Sequence, residues 1–211
     1  MSVLSRLSSQ VGDRTEESNK RVAREALEQP FVPAEIAQGL SADDPRLVGD
    51  CAEVMTMVAE HGPELVVLYI EEIVPLLSAE KTRVRWEAMH AIALVVRLVP
   101  ERIAPMIGEL GAKIKGDRSV IVRDWAVYAL GEYGSTSKEA ARSAFSILAE
   151  ALTAWEGKQA GKALEALGKL VARDASLTQQ AGSLAEPYLT HRSPKVRRLA
   201  KKLVGTAQSA E

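Results

Sequence analysis

Cysteine is almost missing from this sequence: Cys51 is the only one among 211 residues. No intramolecular disulfide can form, and no cysteine-based metal site can be assembled. Aromatic side chains are scarce too, at 4%. The apolar material is mainly Ala, Leu and Val, which favours helices over a β-sandwich. Charge of one sign is not in excess; the net charge is −1, which supplies no global attraction for a phosphate backbone. Long hydrophobic runs are absent. The longest mostly apolar stretch, Ala88 to Leu98, contains His90 and Arg97 and is too short to cross a bilayer. The first residues lack the long apolar core of a secretory signal. Together these absences lead us to expect a soluble, cytoplasmic protein without a membrane partner.

The marks of catalysis are also missing. His61, His90 and His191 do not share metal-ligand spacing. There is no glycine-rich phosphate loop and no serine nucleophile elbow; Gly131 and Gly134 read as the end of a helix, where glycine commonly caps. The expectation is therefore no metal, no cofactor and no enzymatic activity.

What is present is a repeat, the feature to seek before any other. Val84-Arg85-Trp86-Glu87-Ala88 recurs as Val122-Arg123-Asp124-Trp125-Ala126 and as Val196-Arg197-Arg198-Leu199-Ala200. Weaker copies begin at Leu47 and Gln159, so the steps are 37, 38, 37 and 37 residues. The fifth position of every copy is small: Cys51, Ala88, Ala126, Ala163 and Ala200. Four residues later stand Met55, Ile92, Leu130 and Leu167, so each copy opens an amphipathic helix. Cys51 reads as a small buried hydrophobe.

A second helix follows in each unit. Gly62-Pro63-Glu64 and Val99-Pro100-Glu101 mark two of its starts, since proline is tolerated in a first helical turn. Ser135 or Ser137, and Asp174, are capping residues for the next two. The second helices are predicted near 64–78, 101–115, 138–154 and 175–190, with Pro75, Pro105 and Pro187 kinking or shortening them. Asp44-Pro45, Ser119 and Ser193-Pro194 are start signals for first helices. The predicted organisation is an irregular N-terminal helical unit over 1–41, then a repeat array over 42–206. Its units lie near 42–78, 79–115, 116–154 and 155–190, with a closing helix over 194–206. A lone hairpin cannot bury its apolar stripe, and stacking supplies the core.

Asp44-Pro45-Arg46-Leu47-Val48, Ser193-Pro194-Lys195-Val196-Arg197, Ala129-Leu130-Gly131 and Ala166-Leu167-Gly168 resemble the HEAT repeat, whose first helix typically reads D-P-x-V-R-x-x-A and ends in A-L-G-like residues. The resemblance covers about residues 42–206. Gln159 replaces the apolar residue in the fourth unit, and Val48 and Ala160 replace the arginine. The resemblance implies an all-α fold, a right-handed α-α superhelix of stacked hairpins, and an interaction scaffold whose partner is a protein. Nucleic acid is the lesser alternative. HEAT-like alkylpurine DNA glycosylases share the architecture and place a Trp followed one turn later by Asp on a basic face. Here Trp86, Trp125 and Trp155 are followed four residues on by His90, Ala129 and Gln159, so that signature is not met.

Arg85, Arg123 and Arg197 share one repeat slot. In HEAT proteins this slot commonly hydrogen-bonds the turn between units, and we read the three as a structural ladder. Charge is uneven along the chain. Leu47 to Glu80 holds seven acids and no Lys or Arg, whereas Pro187 to Gln208 holds six bases and no acid. Glu71 and Glu72 recur as Glu109 at matching second-helix positions. Because second helices line the concave side in this architecture, these carboxylates are candidate partner-binding residues. At the basic end the candidates are Arg192, Lys195, Arg198 and Lys202.

Overall fold

The computed structural model describes residues 2–209; Met1, the first residue of the expected N-terminal unit, lies outside them, as do Ala210 and Glu211. The described residues form helices and turns, with no β-strand among them. They fall into two compact units that meet in sequence between Leu98 and Val99.

The first unit contains α1 (Ser8–Val11), α2 (Glu17–Glu28), α3 (Phe31–Gly39), α4 (Pro45–Ala59), α5 (Pro63–Val66), α6 (Ile70–Ile73) and α7 (Thr82–Val95). Its core is built where α4 packs on α2 and α7. Val48, Cys51, Val54, Met55 and Val58 of α4, Val22 and Ala26 of α2, and Val84, Ala88, Met89 and Ile92 of α7 are all buried. Asp44 starts α4 by accepting from the Arg46 N–H at 2.9 Å, with Pro45 in the first turn. Cys51 is fully buried, and burial, with Asp50 beside it, pushes its thiol up to about 12, which leaves it an unreactive packing group.

The second unit contains α8 (Pro100–Ile103), α9 (Ile107–Gly116), α10 (Val120–Gly134), α11 (Lys138–Ala151), α12 (Ala154–Gly157), α13 (Ala160–Arg173), α14 (Thr178–Ala185) and α15 (Pro194–Gln208). Here α10 packs on α9, α11 and α13, and α15 packs on α14 and α13. Ser119, Ser137 and Asp174 each accept a backbone N–H at a helix start. Ser193 does not cap with its side chain; its own N–H donates to His191 Nδ1 at 3.1 Å.

The prolines act locally. Around Pro75, Pro105 and Pro187 the backbone tightens into 3-10 turns over Val74–Ser78, Ala104–Met106 and Glu186–Thr190. A proline offers no N–H to the residue four back, and its ring crowds that carbonyl, so the α pattern gives way there. Gly131 and Gly134 do not serve as caps. Both lie inside α10 with ordinary φ and allow close approach: a Cβ on Gly131 would stand 2.9 Å from Ala166 Cβ, and one on Gly134 3.0 Å from Leu170 Cγ.

The fourth copy departs from the others. Leu47, Val84, Val122 and Val196 are third residues of their helices, but Gln159 precedes α13 as its N-cap. The residues before it make a left-handed turn: φ is 51° at Trp155, 58° at Glu156 and 73° at Gly157.

Candidate binding surfaces

The three arginines of the repeat slot share one geometry. Arg85 Nη1 donates to the carbonyls of Ala79 and Glu80, both at 2.8 Å. Arg197 Nη1 donates to those of His191 and Arg192 at 2.7 and 3.0 Å. Arg123 Nη1 donates to that of Asp117 at 2.7 Å. Each side chain therefore closes the turn that precedes its own helix, satisfying carbonyls five or six residues back. Arg123 differs in depth: it is 1% exposed, and its Nε finds no acceptor among the described residues. Trp155 covers it, the ring centroid 4.0 Å from the guanidinium carbon, while the indole N–H donates to the Ile114 carbonyl at 3.1 Å. Two anchors thus hold Trp155 in a backbone region that bulky residues avoid.

A second cluster, which the sequence reading missed, lies in the first unit. Arg83 Nη2 bridges Asp50 Oδ1 at 3.1 Å and Glu53 Oε2 at 2.7 Å. Asp50 Oδ2 accepts from the Ser9 N–H at 2.7 Å, and fully buried Asn19 donates to Glu53 while accepting from the Ser8 N–H. Burial alone would raise the Asp50 carboxyl; the bonds from Ser9 and Asn19 and the Arg83 charge outweigh it and hold the group below its ordinary value. Glu87, nearby, is pushed up by burial despite the indole N–H of Trp86. The cluster ties the N-terminal segment, α2, α4 and α7 together and borders a cavity of about 400 Å³. Its only sequence signal was two acids, Asp50 and Glu53, on a helix that is apolar nearly all round.

Two groups of exposed charges match the sequence candidates, one in each unit. In the first, Glu64, Leu68, Glu71, Glu72 and Pro75 are all exposed at helical spacing along 63–78, so they share one outward face. Leu68 is 67% exposed, and Glu64, Glu71 and Glu72 have no ion pair among the described residues. Glu109, grouped with them by repeat position, belongs to the second unit, where it stands half-buried in the first turn of α9. In that unit, Arg192, Lys195, Arg198 and Lys202 are exposed. Lys195 is engaged by Glu165 of α13 at 3.5 Å.

The remaining residues considered for chemistry are spread out. His61 Nδ1 lies 3.1 Å from the Met57 carbonyl, and His90 Nε2 is 3.9 Å from Glu60. Trp125 stands edge-on to Tyr128 at 5.5 Å, over which Lys169 is placed at 4.6 Å. No helix among the described residues is long and apolar enough to cross a membrane.

No protein-family model and no curated protein matches this chain. Solved structures do. A computationally designed armadillo repeat protein for modular peptide recognition aligns with a TM-score of 0.75 at 16% identity, over 97% of this chain and 98% of that one. A designed armadillo repeat protein in complex with the peptide (KR)4 gives 0.74 at 17% identity, again over 97% and 98%. A HEAT-like repeats protein from the archaeon Thermococcus onnurineus NA1 gives 0.58 at 14%, over 91% and 93%. The chain is thus an all-α helical-repeat protein with the HEAT and armadillo solenoid fold. At these identities the likeness shows the fold alone.

Proposed function

We propose that this protein is a non-catalytic scaffold that binds a partner protein, and that the second-helix face of the first unit receives a basic segment of that partner. The observation that carries this reading is the row Glu64, Leu68, Glu71, Glu72: three carboxylates without ion pairs among the described residues, around a leucine left 67% in water. An exposed apolar side chain rimmed by one sign of charge marks a site for an amphipathic ligand of the other sign. That a designed relative of the same fold holds a (KR)4 peptide supports the reading. Exposed charges act chiefly on association rate and orientation, so the complex is expected to be salt-sensitive.

The test is fluorescence anisotropy with a dye-labelled peptide of alternating Lys and Arg. Binding to the wild type and at least about tenfold weaker binding to Glu71→Lys/Glu72→Lys is expected, a loss of about 1.4 kcal/mol. Equal binding by both proteins, or no binding by the wild type, contradicts the reading. Nucleic acid remains the second reading, favoured only by the basic residues of α13 and α15.

A further inference from the structure

The buried polar cluster of the first unit borders a cavity whose charges its own residues do not balance. The cavity measures about 400 Å³, at the small end of the range for small-molecule sites, about 300–1,000 Å³. Asn19, Asp50, Glu53, Arg83, Trp86 and Glu87 line it from α2, α4 and α7.

Its inner wall carries more negative charge than its partners neutralise. Asp50, Glu53 and Glu87 stand against one cation, Arg83, whose Nη2 is shared between the first two. Glu53 is 6% exposed. Its Oε2 accepts from Asn19 and Arg83, whereas its Oε1 accepts no hydrogen bond among the described residues. That oxygen is not sealed by packing, so in so deeply buried a side chain it opens onto the cavity. Glu87 has no ion pair among the described residues, and burial pushes its carboxyl up, as for a carboxylate short of counter-charge. Beside it the half-buried Trp86 ring is fixed by its indole N–H, which donates to Glu87 Oε1 at 2.5 Å. Two carboxylates with capacity to spare and the face of an indole suit a guanidinium or ammonium group taken out of water. No group of three carboxylate, imidazole or thiol side chains among the described residues converges to hold a metal ion, so an organic cation is the match.

The outer residues of the cavity have the opposite sign to spare. Arg14 and Arg46 line it, are exposed and have no ion pair among the described residues. The outer acids are already engaged. Asp13 accepts from the Thr15 and Ser18 N–H groups at 2.8 and 3.1 Å, and Glu16 lies 3.6 Å from Lys20 Nζ. We propose that this cavity binds a free basic amino acid such as L-arginine, its side-chain cation against Glu53, Glu87 and Trp86 and its carboxylate at Arg14 and Arg46. A polycation is repelled by the two outer arginines, and a simple anion by the three carboxylates within. The site is separate from the acidic second-helix face and does not rest on the scaffold reading.

The test is isothermal titration calorimetry on the full chain with L-arginine and with agmatine, which keeps the guanidinium and lacks the carboxylate. Glu87→Gln preserves the side-chain shape and the acceptor for the indole, and it removes a charge that burial opposes, so the fold is retained, which circular dichroism checks. L-Arginine should bind the wild type, and bind Glu87→Gln at least about tenfold more weakly. Agmatine should bind the wild type at least about tenfold more weakly than L-arginine does. Arg14→Ala/Arg46→Ala, at two exposed positions, should weaken L-arginine and leave agmatine no weaker. Glu71→Lys/Glu72→Lys should leave L-arginine binding unchanged, which separates this site from the acidic face. The proposal is overturned if L-arginine does not bind, or binds Glu87→Gln as well as wild type. It is overturned equally if agmatine matches L-arginine on the wild type, or if the double arginine variant binds L-arginine undiminished.

Discussion

At the scale of single residues, burial decides what each charge does. Arg85, Arg123 and Arg197 make the same turn contact, but Arg123 alone is sealed in, between the Asp117 carbonyl and the Trp155 ring. Truncating it leaves an unsatisfied carbonyl and an unsupported indole, so Arg123→Ala should cost about 1–3 kcal/mol in denaturant unfolding. Arg85→Ala and Arg197→Ala, at half-buried sites, should cost less. Equal losses at all three would contradict the role assigned to depth. Arg83→Ala strands two buried carboxylates, Asp50 and Glu53. Its side chain is 41% exposed, so the expected loss is about 2 kcal/mol, below the 3–5 kcal/mol typical of a fully buried pair. His90 supplies a pH signature. Burial lowers it from its ordinary 6.5 to about 4 and outweighs Glu60, which is 3.9 Å away and half in solvent. Between these values the unfolded chain binds the extra proton, so stability present above pH 6.5 declines as pH falls toward 4, by up to about 3 kcal/mol. His90→Gln should flatten that part of the stability curve relative to wild type; an unchanged slope would contradict the assignment.

At the scale of elements, the left-handed turn before α13 tests the link between sequence and local strain. Glu156 is exposed at φ 58°, a conformation that costs a side-chain-bearing residue about 1–2 kcal/mol. Glu156→Gly should therefore stabilise, net of glycine's unfolded-state entropy, by up to about 1 kcal/mol. Gly157→Ala should destabilise, since φ is 73° and its Cβ would stand 3.3 Å from the Leu152 carbonyl. Thermal unfolding of the two variants must move in opposite directions, and a shared sign would show that the turn is not held left-handed. This turn is also where the sequence was least legible. The 37-residue step located α4, α7, α10 and α15 because their apolar and small slots recur together, joined in α7, α10 and α15 by the arginine. The fourth copy lacks both the apolar residue and the arginine, at Gln159 and Ala160, and its turn is set by Trp155 reaching to Arg123 and Ile114, contacts between residues more than thirty apart. The prolines at 75, 105 and 187 were legible because their effect is local. Asn19, Asp50, Glu53 and Arg83 were not, because the partners that let these polar groups be buried come from separate helices.

At the scale of the whole molecule, the proposed function rests on surfaces, and only part of each surface could be read from the chain. The clustering of acids before Glu80 and of bases after Pro187 was visible as composition. That Leu68 stands out among the acids, that Lys195 is occupied by Glu165, and that Gly168 has open space where Gly131 meets Ala166 all depend on packing. If the protein works by presenting these faces, its associations should weaken as salt rises past about 0.15 M, where the Debye length falls to about 8 Å. The most direct test is amide hydrogen exchange, read by mass spectrometry, on the full chain with and without the Lys/Arg peptide. The scaffold account predicts slowed exchange confined to the second-helix segment around residues 64–75, and its loss in Glu71→Lys/Glu72→Lys. Protection elsewhere, or none at saturating peptide, would contradict it.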